Sequence, residues 1–577
     1  MNRFPYKRRA RTLIVGLLLV VLVFAPAGCF TEDSNEPYYG RVAVRSTQDF
    51  RWFDGGVPQT FDPAFAAAPP DTDVVRAIFE GLTDYDPRTL TPVPAVATRW
   101  ESSQEGRTWT FYLRDNARWS NGEAVTAKDF VESWQRTMKI GDLAPHTVLL
   151  SNIKGAGIIS TVSDRAAANR NSARQNQVAT RRGNSKPDFG VEAVESHVLR
   201  VHLETPDQNF PALVAHPVFR PVKLKTDETL KRIGSVDLVS NGAFHLAETA
   251  RDRVLLKRAE HYWGRDEVNL DQVEFVDAQD AEAALAAYRA GEVDAVTNSA
   301  FEPLVLKLLA PYEDFRRETY GALTYYSFNT THEPFDDVRI REALAIAIDR
   351  DRLSQDEMGG ATEPAKRFLP EAMSGSKVVV EKTELLEKDY ERGRRLLADA
   401  GFPDGEGFPT VRLLINRNEQ QRIVAQSIAE MWHSVLGIET EIIIKNWDEY
   451  EAAIRAGDYD VVRRGLVMQT TDELTNIRML FQQDARLTDA LNNTQVPNAG
   501  SDLGEGAGDR SADNKSTLPP VSEAEALNEL KAIPLYFASS YALVKPYVTG
   551  FDTNVLDAPS LKRVQINTEW KHPSSDR

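Results

Sequence analysis

Chemistry in this chain of 577 residues would have to come from its nine histidines, its single cysteine or its 85 acidic side chains. None of them is spaced for catalysis. There is no glycine–serine nucleophile elbow, no phosphate-cradling glycine loop and no helix-spaced histidine pair for a metal. His197 and His202 are close in sequence, but an odd spacing on a strand sends them to opposite faces. Asp336 and Asp337 stand where a helix should begin, and accepting its free N–H groups is sufficient use for either carboxylate. Cys29 has no second cysteine to pair with, so no internal disulfide framework exists. Aromatic residues at 9% and hydrophobic residues at 42% suit a large core or an apolar cleft.

The length allows two or three domains, and 27% charged residues is an ordinary globular share. The net charge of −17 includes five basic residues at the very start, Arg3, Lys7, Arg8, Arg9 and Arg11. The remainder is more acidic still, which excludes nucleic acid as a partner. Leu13 to Ala25 is a continuous apolar run, short of the ~18 residues that span a bilayer. A basic flank before a short apolar core reads as an export signal over residues 1–28. Pro26-Ala27-Gly28-Cys29 resembles a bacterial lipobox, which implies a lipid on Cys29 and anchoring to a membrane. Cleavage at an Ala25-x-Ala27 site, giving a free secreted protein, is the alternative. Residues 29–40 read as a polar tether.

Behind the tether the pattern is α/β. Arg41 to Val44 reads as a strand, Val74 to Leu82 as a helix and Thr108 to Leu113 as an alternating strand. Thr126 and Asp129 form a capping box for a helix burying Phe130, Trp134 and Met138. Strands are expected between Val191 and Leu203. Val273–Val276, a helix to Ala290, Gly291 as its stop and Val293–Val296 make a βαβ unit. Leu323 to Phe328 reads as a buried strand, followed by a helix with Ile340, Leu344, Ala347 and Ile348 on one face. From 411 to 463 the order is strand, helix, Gly437, strand, helix, strand. This alternation predicts a mainly parallel sheet with both faces covered. Two stretches interrupt it, the basic 160–186 and the polar 492–521, and with almost nothing to bury both are expected to be flexible loops.

Several strings carry more than periodicity: FDPAF with VVRAIFEGLTDYDP, AVATRWESSQEGRTWTFYLRDNARWSNGEAVTAKDFVESWQRTM, NGAFHL with HYW, RAGEVD, FNTTHEPFDDVRIREALAIAIDR, AIPLYF and LVKPYVTGF. Together they resemble the oligopeptide/dipeptide-binding family of solute-binding proteins (family 5) that serve bacterial ABC importers. The resemblance runs from about Arg41 to Asn567, with gaps at 160–186 and 482–531. It implies an α/β, two-lobed periplasmic-binding-protein-like fold (type II), with three domains, a hinge and a ligand cleft between the lobes. Domain I would be 41–66, 197–298 and 533–570, domain II 67–196 and domain III 299–532, with crossings near Asn298 and Ile533. It further implies a monomer without enzyme activity, cofactor or metal. That monomer would hand an extended peptide to an ABC permease and its ATPase subunits.

The same resemblance aligns Tyr459 to Asp472 with the strand that pairs with the ligand backbone. Gly465 fits a close backbone approach, since it lacks Cβ. Arg463 matches a basic position able to meet a peptide carboxylate, with an ordinary exposed ion pair as the alternative. Where binders of free peptides have W-x-x-D, this chain has Leu466 and Gln469. Gln469 can accept a hydrogen bond but cannot neutralise an α-ammonium. Asp472, three positions on, is the alternative anchor. Tyr325, Tyr326, Asn329, Tyr536 and Phe537 complete the implied lining. The competing functions are the same scaffold holding an oligosaccharide or metal chelate, a secreted interaction protein that has lost transport, and a hydrolase whose triad is not visible.

Overall fold

The computed structural model describes residues 37–156, 189–223, 238–373, 386–481, 520 and 522–573. The leader, Cys29, the 160–186 insertion and nearly all of 492–521 lie outside the described residues. Among the described residues one sheet dominates. Its strands, in spatial order, are β15 (Thr440–Lys445), β14 (Val411–Asn416), β16 (Val461–Val467), β12 (Phe315–Phe328), β17 (Ala532–Val544), β11 (Ala295–Thr297), β1 (Asp49–Asp54), β10 (Gln272–Val276), β9 (Arg253–Arg258) and β8 (Phe244–Thr249), with β13 (Thr362–Pro364) on β17. A second sheet runs β4 (Ala97–Ser103), β5 (Thr108–Leu113), β7 (Val198–His202), β6 (Val191–Glu195). Two ribbons pair β2 (Thr83–Tyr85) with β3 (Pro92–Pro94), and β18 (Val548–Thr549) with β19 (Gln565–Ile566).

The helices form where the sequence caps them. α1 is Asp71–Ile78, shorter than the span expected from Val74 to Leu82. α2 (Ala127–Ile140) carries the capping box, with Thr126 N–H donating to Asp129 Oδ2 at 2.7 Å. α3 (Ala281–Ala290) ends on Gly291 at φ +77°, a left-handed conformation that suits glycine. α4 (Pro303–Leu309) follows, then α5 (Val338–Ile346), where Asp337 Oδ1 accepts from Arg339 N–H at 2.8 Å. α6 (Tyr390–Asp399), α7 (Glu419–Leu436), α8 (Trp447–Ala456) and α9 (Glu523–Glu529) complete the set used below.

The expectation of a mainly parallel sheet is corrected. β1 is parallel to β10 and β11, and β14 to β15 and β16, but β12, β17, β13, β9 and β8 pair antiparallel. Each half of the sheet holds one parallel kernel, β15-β14-β16 or β11-β1-β10, of the kind that alternating strands and helices produce. Two long antiparallel strands join the kernels, and local alternation does not reveal them. Arg41 to Val44 is also not a strand; Arg41 N–H donates to Arg289 O at 2.8 Å, and Val42 and Val44 pack on the core that holds Trp52.

Two large hydrophobic cores give two lobes. One gathers Trp52, Phe79, Trp119 and Trp134, the other Tyr326, Leu344, Ile428 and Trp432. β17 contributes to both, Ala542 and Val544 to the first and Ile533 and Leu535 to the second, while β12 contributes Leu323, Tyr325, Tyr326 and Phe328 to the second. β12 and β17 pair with each other in two stretches. They pair from Phe315↔Leu543 to Thr319↔Ser539, slip, and pair again from Leu323↔Phe537 to Ser327↔Ala532. At the slip Gly321 bonds elsewhere, donating to Val555 O and accepting from Met468 N–H, each at 2.7 Å.

Candidate functional site

All seven residues of β16 face β12 on one side, but on the other side only Val461 and Val462 face β14. From Arg463 to Val467 that second edge has no strand partner among the described residues. The strand itself fixes which groups point out. The Tyr450 hydroxyl donates to Arg463 O, and Gln469 Nε2 donates to Val467 O at 3.2 Å. By the two-residue period, Gly465 presents its N–H and C=O to the same side. Gly465 is exposed, and a Cβ there would stand 3.4 Å from the Arg463 guanidinium.

Tyr326 and Arg463 are cross-strand partners and share a face. α7 packs beneath it, where Gln421 Nε2 donates to Tyr536 Oη at 3.0 Å. The Tyr326 hydroxyl, Arg463 Nε and Gln421 Oε1 are buried, and none has a hydrogen-bond partner among the described residues. A buried polar atom left unpaired costs about 1–3 kcal/mol, so three in one place mark where a polar ligand can complete the set. Burial, followed by the neighbouring Tyr536, raises the Tyr326 phenol far above its ordinary range, so it stays a neutral donor.

Beyond the edge, His216 meets Gln469. Val218 N–H donates to His216 Nδ1 at 3.1 Å, which puts the proton of the neutral ring on Nε2. Nε2 then donates to Gln469 Oε1 at 3.3 Å. Burial, the His146 ring at 4.8 Å and Arg76 push His216 well below its usual pKa. Gln469 is thus matched by a neutral imidazole. Asp472 lies deeper. Its Oδ2 accepts from Thr475 N–H at 2.7 Å and caps the helical stretch that starts at 473. Asn209 donates to the same carboxylate, and burial raises its pKa. Asp207, two residues before Asn209, is pushed up to about 7 by burial and by the charge of Asp472.

The structure therefore gathers Arg463, Gly465 and Tyr326 around the open edge, with Tyr536 below and Gln469 at one end. Leu466 packs against the second core. Tyr325 is on the opposite face and donates to Leu480 O at 3.2 Å. Phe537 is buried in the core. Asn329 closes the loop after β12, donating to Gly457 O and Tyr459 O at 3.1 and 3.2 Å. Sequence reasoning missed Asp207, His216, Gln421 and Trp447. Trp447 is 61% exposed and stacks on Tyr450 at 5.6 Å, beside the open edge; an exposed tryptophan opening a helix was the available signal. The other three come from distant segments with no local pattern. A cavity of about 720 Å³ beside the β12–β17 slip, lined by Arg88, Arg316, Glu318 and Asp552, involves none of the expected residues. Among the described residues no group of three or more His, Cys, Asp or Glu side chains is placed to hold a metal.

Two lobes on one sheet, with an open strand edge and unpartnered polar groups at hand, make a place where a solute could be held. The family of bacterial extracellular solute-binding proteins, family 5 (middle region), matches residues 91–486, and the chain belongs to it. It is 29% identical over 504 residues to the periplasmic murein peptide-binding protein MppA of Escherichia coli (strain K12), covering 86% of this chain and 89% of that protein. Identity to the periplasmic oligopeptide-binding protein OppA of Salmonella typhimurium (strain LT2) is 28% over 549 residues, covering 94% and 95%. Among solved structures, MppA in its unliganded open form aligns at TM-score 0.70 and 27% identity, covering 91% of this chain and 98% of that one. A second structure of the E. coli murein tripeptide-binding protein MppA gives 0.60 at 27% identity, covering 91% and 99%.

Proposed function

We propose that the chain is the exported binding component of an ABC importer. It takes an extended peptide along the open edge of β16, between its lobes, and delivers it to a permease. The observation that carries this is the exposed Gly465 N–H and C=O beside Arg463. Backbone pairing of this kind is indifferent to ligand sequence, so affinity comes from the strand and selectivity from the ends. Arg463 and the Tyr326 hydroxyl suit a carboxylate. The peptide names of both relatives support a peptide ligand. Closure turns on the slip between β12 and β17, with domain I at 41–66, 197–298 and 533–570, domain II at 67–196 and domain III at 299–532. The likeness to an unliganded open form supports an open lobe arrangement. Cys29 carries the lipid that holds the protein at the membrane; fatty-acid labelling of wild type that persists in Cys29→Ser overturns this.

At the Gln469 end the neutral amide and neutral His216 offer no counter-charge. A ligand with a blocked or absent α-ammonium fits there. Calorimetry with one tripeptide, free and N-acetylated, tests it. Native protein should prefer the acetylated form, and Gln469→Asp should improve binding of the free amine by about 10- to 100-fold, a charged hydrogen bond of about 1.5–3 kcal/mol. A second reading rests on the raised Asp207 beside Asp472, a carboxylate pair that would welcome a cation. If native protein prefers the free amine and Asp472→Asn removes the preference, that pair is the anchor. If neither peptide binds either protein, the ligand is not a peptide.

A further inference from the structure

We infer that α4 is a membrane-facing surface, with the headgroup region of a phospholipid bilayer as its partner. The inference rests on the proposed lipid at Cys29. Leu304 and Leu308 are 69% and 64% exposed on a seven-residue helix, and a spacing of four puts them on one face. The helix is fastened from behind, where Leu309 and Val305 pack in a small core with Tyr39, Tyr288 and Leu543. Its outer leucines have no partner among the described residues, and exposed Lys307 stands between them without an ion pair there.

What names the occupant is where the chain emerges. Residues 37–41 are stitched to the turn that follows α4. Glu313 N–H donates to Pro37 O at 2.8 Å, and Tyr39 N–H to Asp314 Oδ1 at 2.9 Å. Lys545 Nζ donates to Tyr39 O at 3.1 Å, and the Tyr39 ring meets Tyr312 at 5.3 Å edge-on. Pro37 is eight residues from Cys29, a reach of at most about 29 Å fully extended. An anchor at Cys29 therefore keeps α4 within a short tether of the bilayer, where two leucines and a lysine suit an interface. Among the described residues no helix is long and apolar enough to cross a membrane, so the contact is superficial.

The test supplies the anchor chemically. The mature chain has one cysteine, so a maleimide phospholipid couples at Cys29 alone. The coupled protein is placed on phosphatidylethanolamine/phosphatidylglycerol vesicles. A polarity-sensitive fluorescent amino acid is introduced at Leu308 in one protein and, in another, at Ile444 on the outermost strand β15. The expected result is a blue shift at 308 with several-fold quenching by brominated lipid, little change at 444, and return of the 308 signal to its value in water with Leu304→Asp while the protein stays anchored. A 308 signal that stays aqueous on anchored protein, or equal shifts at 308 and 444, overturns the membrane face. Absence of fatty-acid labelling of the wild-type chain in cells overturns the anchor instead, so the two failures are told apart.

Discussion

Two buried polar regions of this molecule are built on opposite rules. In the first lobe, Glu80 accepts from Tyr262, Trp263 and Lys562, and Asp84 from Lys562, Arg220 and the Tyr85 N–H, so all four carboxylate oxygens have donors. Burial alone would raise Asp84, but Lys562 and Arg220 hold it at about 2. Beneath β16, the Tyr326 hydroxyl, Arg463 Nε and Gln421 Oε1 are buried and have no hydrogen-bond partner among the described residues. The first arrangement fixes a shape. On the proposed binding role, the second gives up stability in the empty protein and regains it when a ligand supplies the missing partners.

The largest test is Lys562→Met. Removing the cation takes the counter-charge from buried Glu80 and leaves Asp84 with Arg220 alone, and unfolding free energy should fall by about 3–5 kcal/mol in denaturant titration. The lowered Asp84 pKa sets the sign with pH: its contribution is present above about 4 and is lost as pH falls towards 2. A loss under about 1 kcal/mol would erase the contrast. Next, Gly465→Val should cost up to about 100-fold in ligand affinity, some 2.7 kcal/mol, by blocking backbone approach, while unfolding barely changes. An equal effect on both would make Gly465 a structural residue.

Asp207→Asn sharpens the contrast further. Its raised pKa means that the unfolded chain ionises first, so the wild type loses stability as pH rises from about 4 to about 7. The variant should remove that slope and be more stable at pH 7 by about 1–3 kcal/mol, at roughly 1.4 kcal/mol per pKa unit. The smallest effect is expected of Tyr326→Phe. Deleting an unpaired hydroxyl should leave unfolding free energy within about 1 kcal/mol or raise it, yet weaken ligand binding by about 3- to 10-fold. Destabilisation like that of Lys562→Met would show that the hydroxyl is already satisfied.

Much of the lobes was legible because it is local. Caps at Asp337 and the Thr126–Asp129 box, and stops at Gly291 and Gly437, are fixed by a few neighbouring residues. The antiparallel join was not legible, since Phe315 and Leu543 lie 228 positions apart and nothing in either strand names the other. The site divides in the same way. Gly465 and Arg463 follow from one strand's alignment. Tyr325 and Tyr326 are adjacent, and only the sheet's pleat decides which of them faces Arg463. Asp207 finds Asp472 only through the completed fold.

The position of β17 in the chain has a consequence for how the molecule comes into being. It is made long after β11, β12 and β13, yet it borders all three. Gln48 is likewise tied to Ile566 by two hydrogen bonds of 2.8 and 2.9 Å. Closing contacts over such separations is the slow, entropically costly part of folding. Until residues 532–566 appear, neither lobe is finished, and the inner edges of β11 and β12 have no neighbour. A polypeptide with this order of assembly cannot complete the sheet that joins its lobes before β17 has been made.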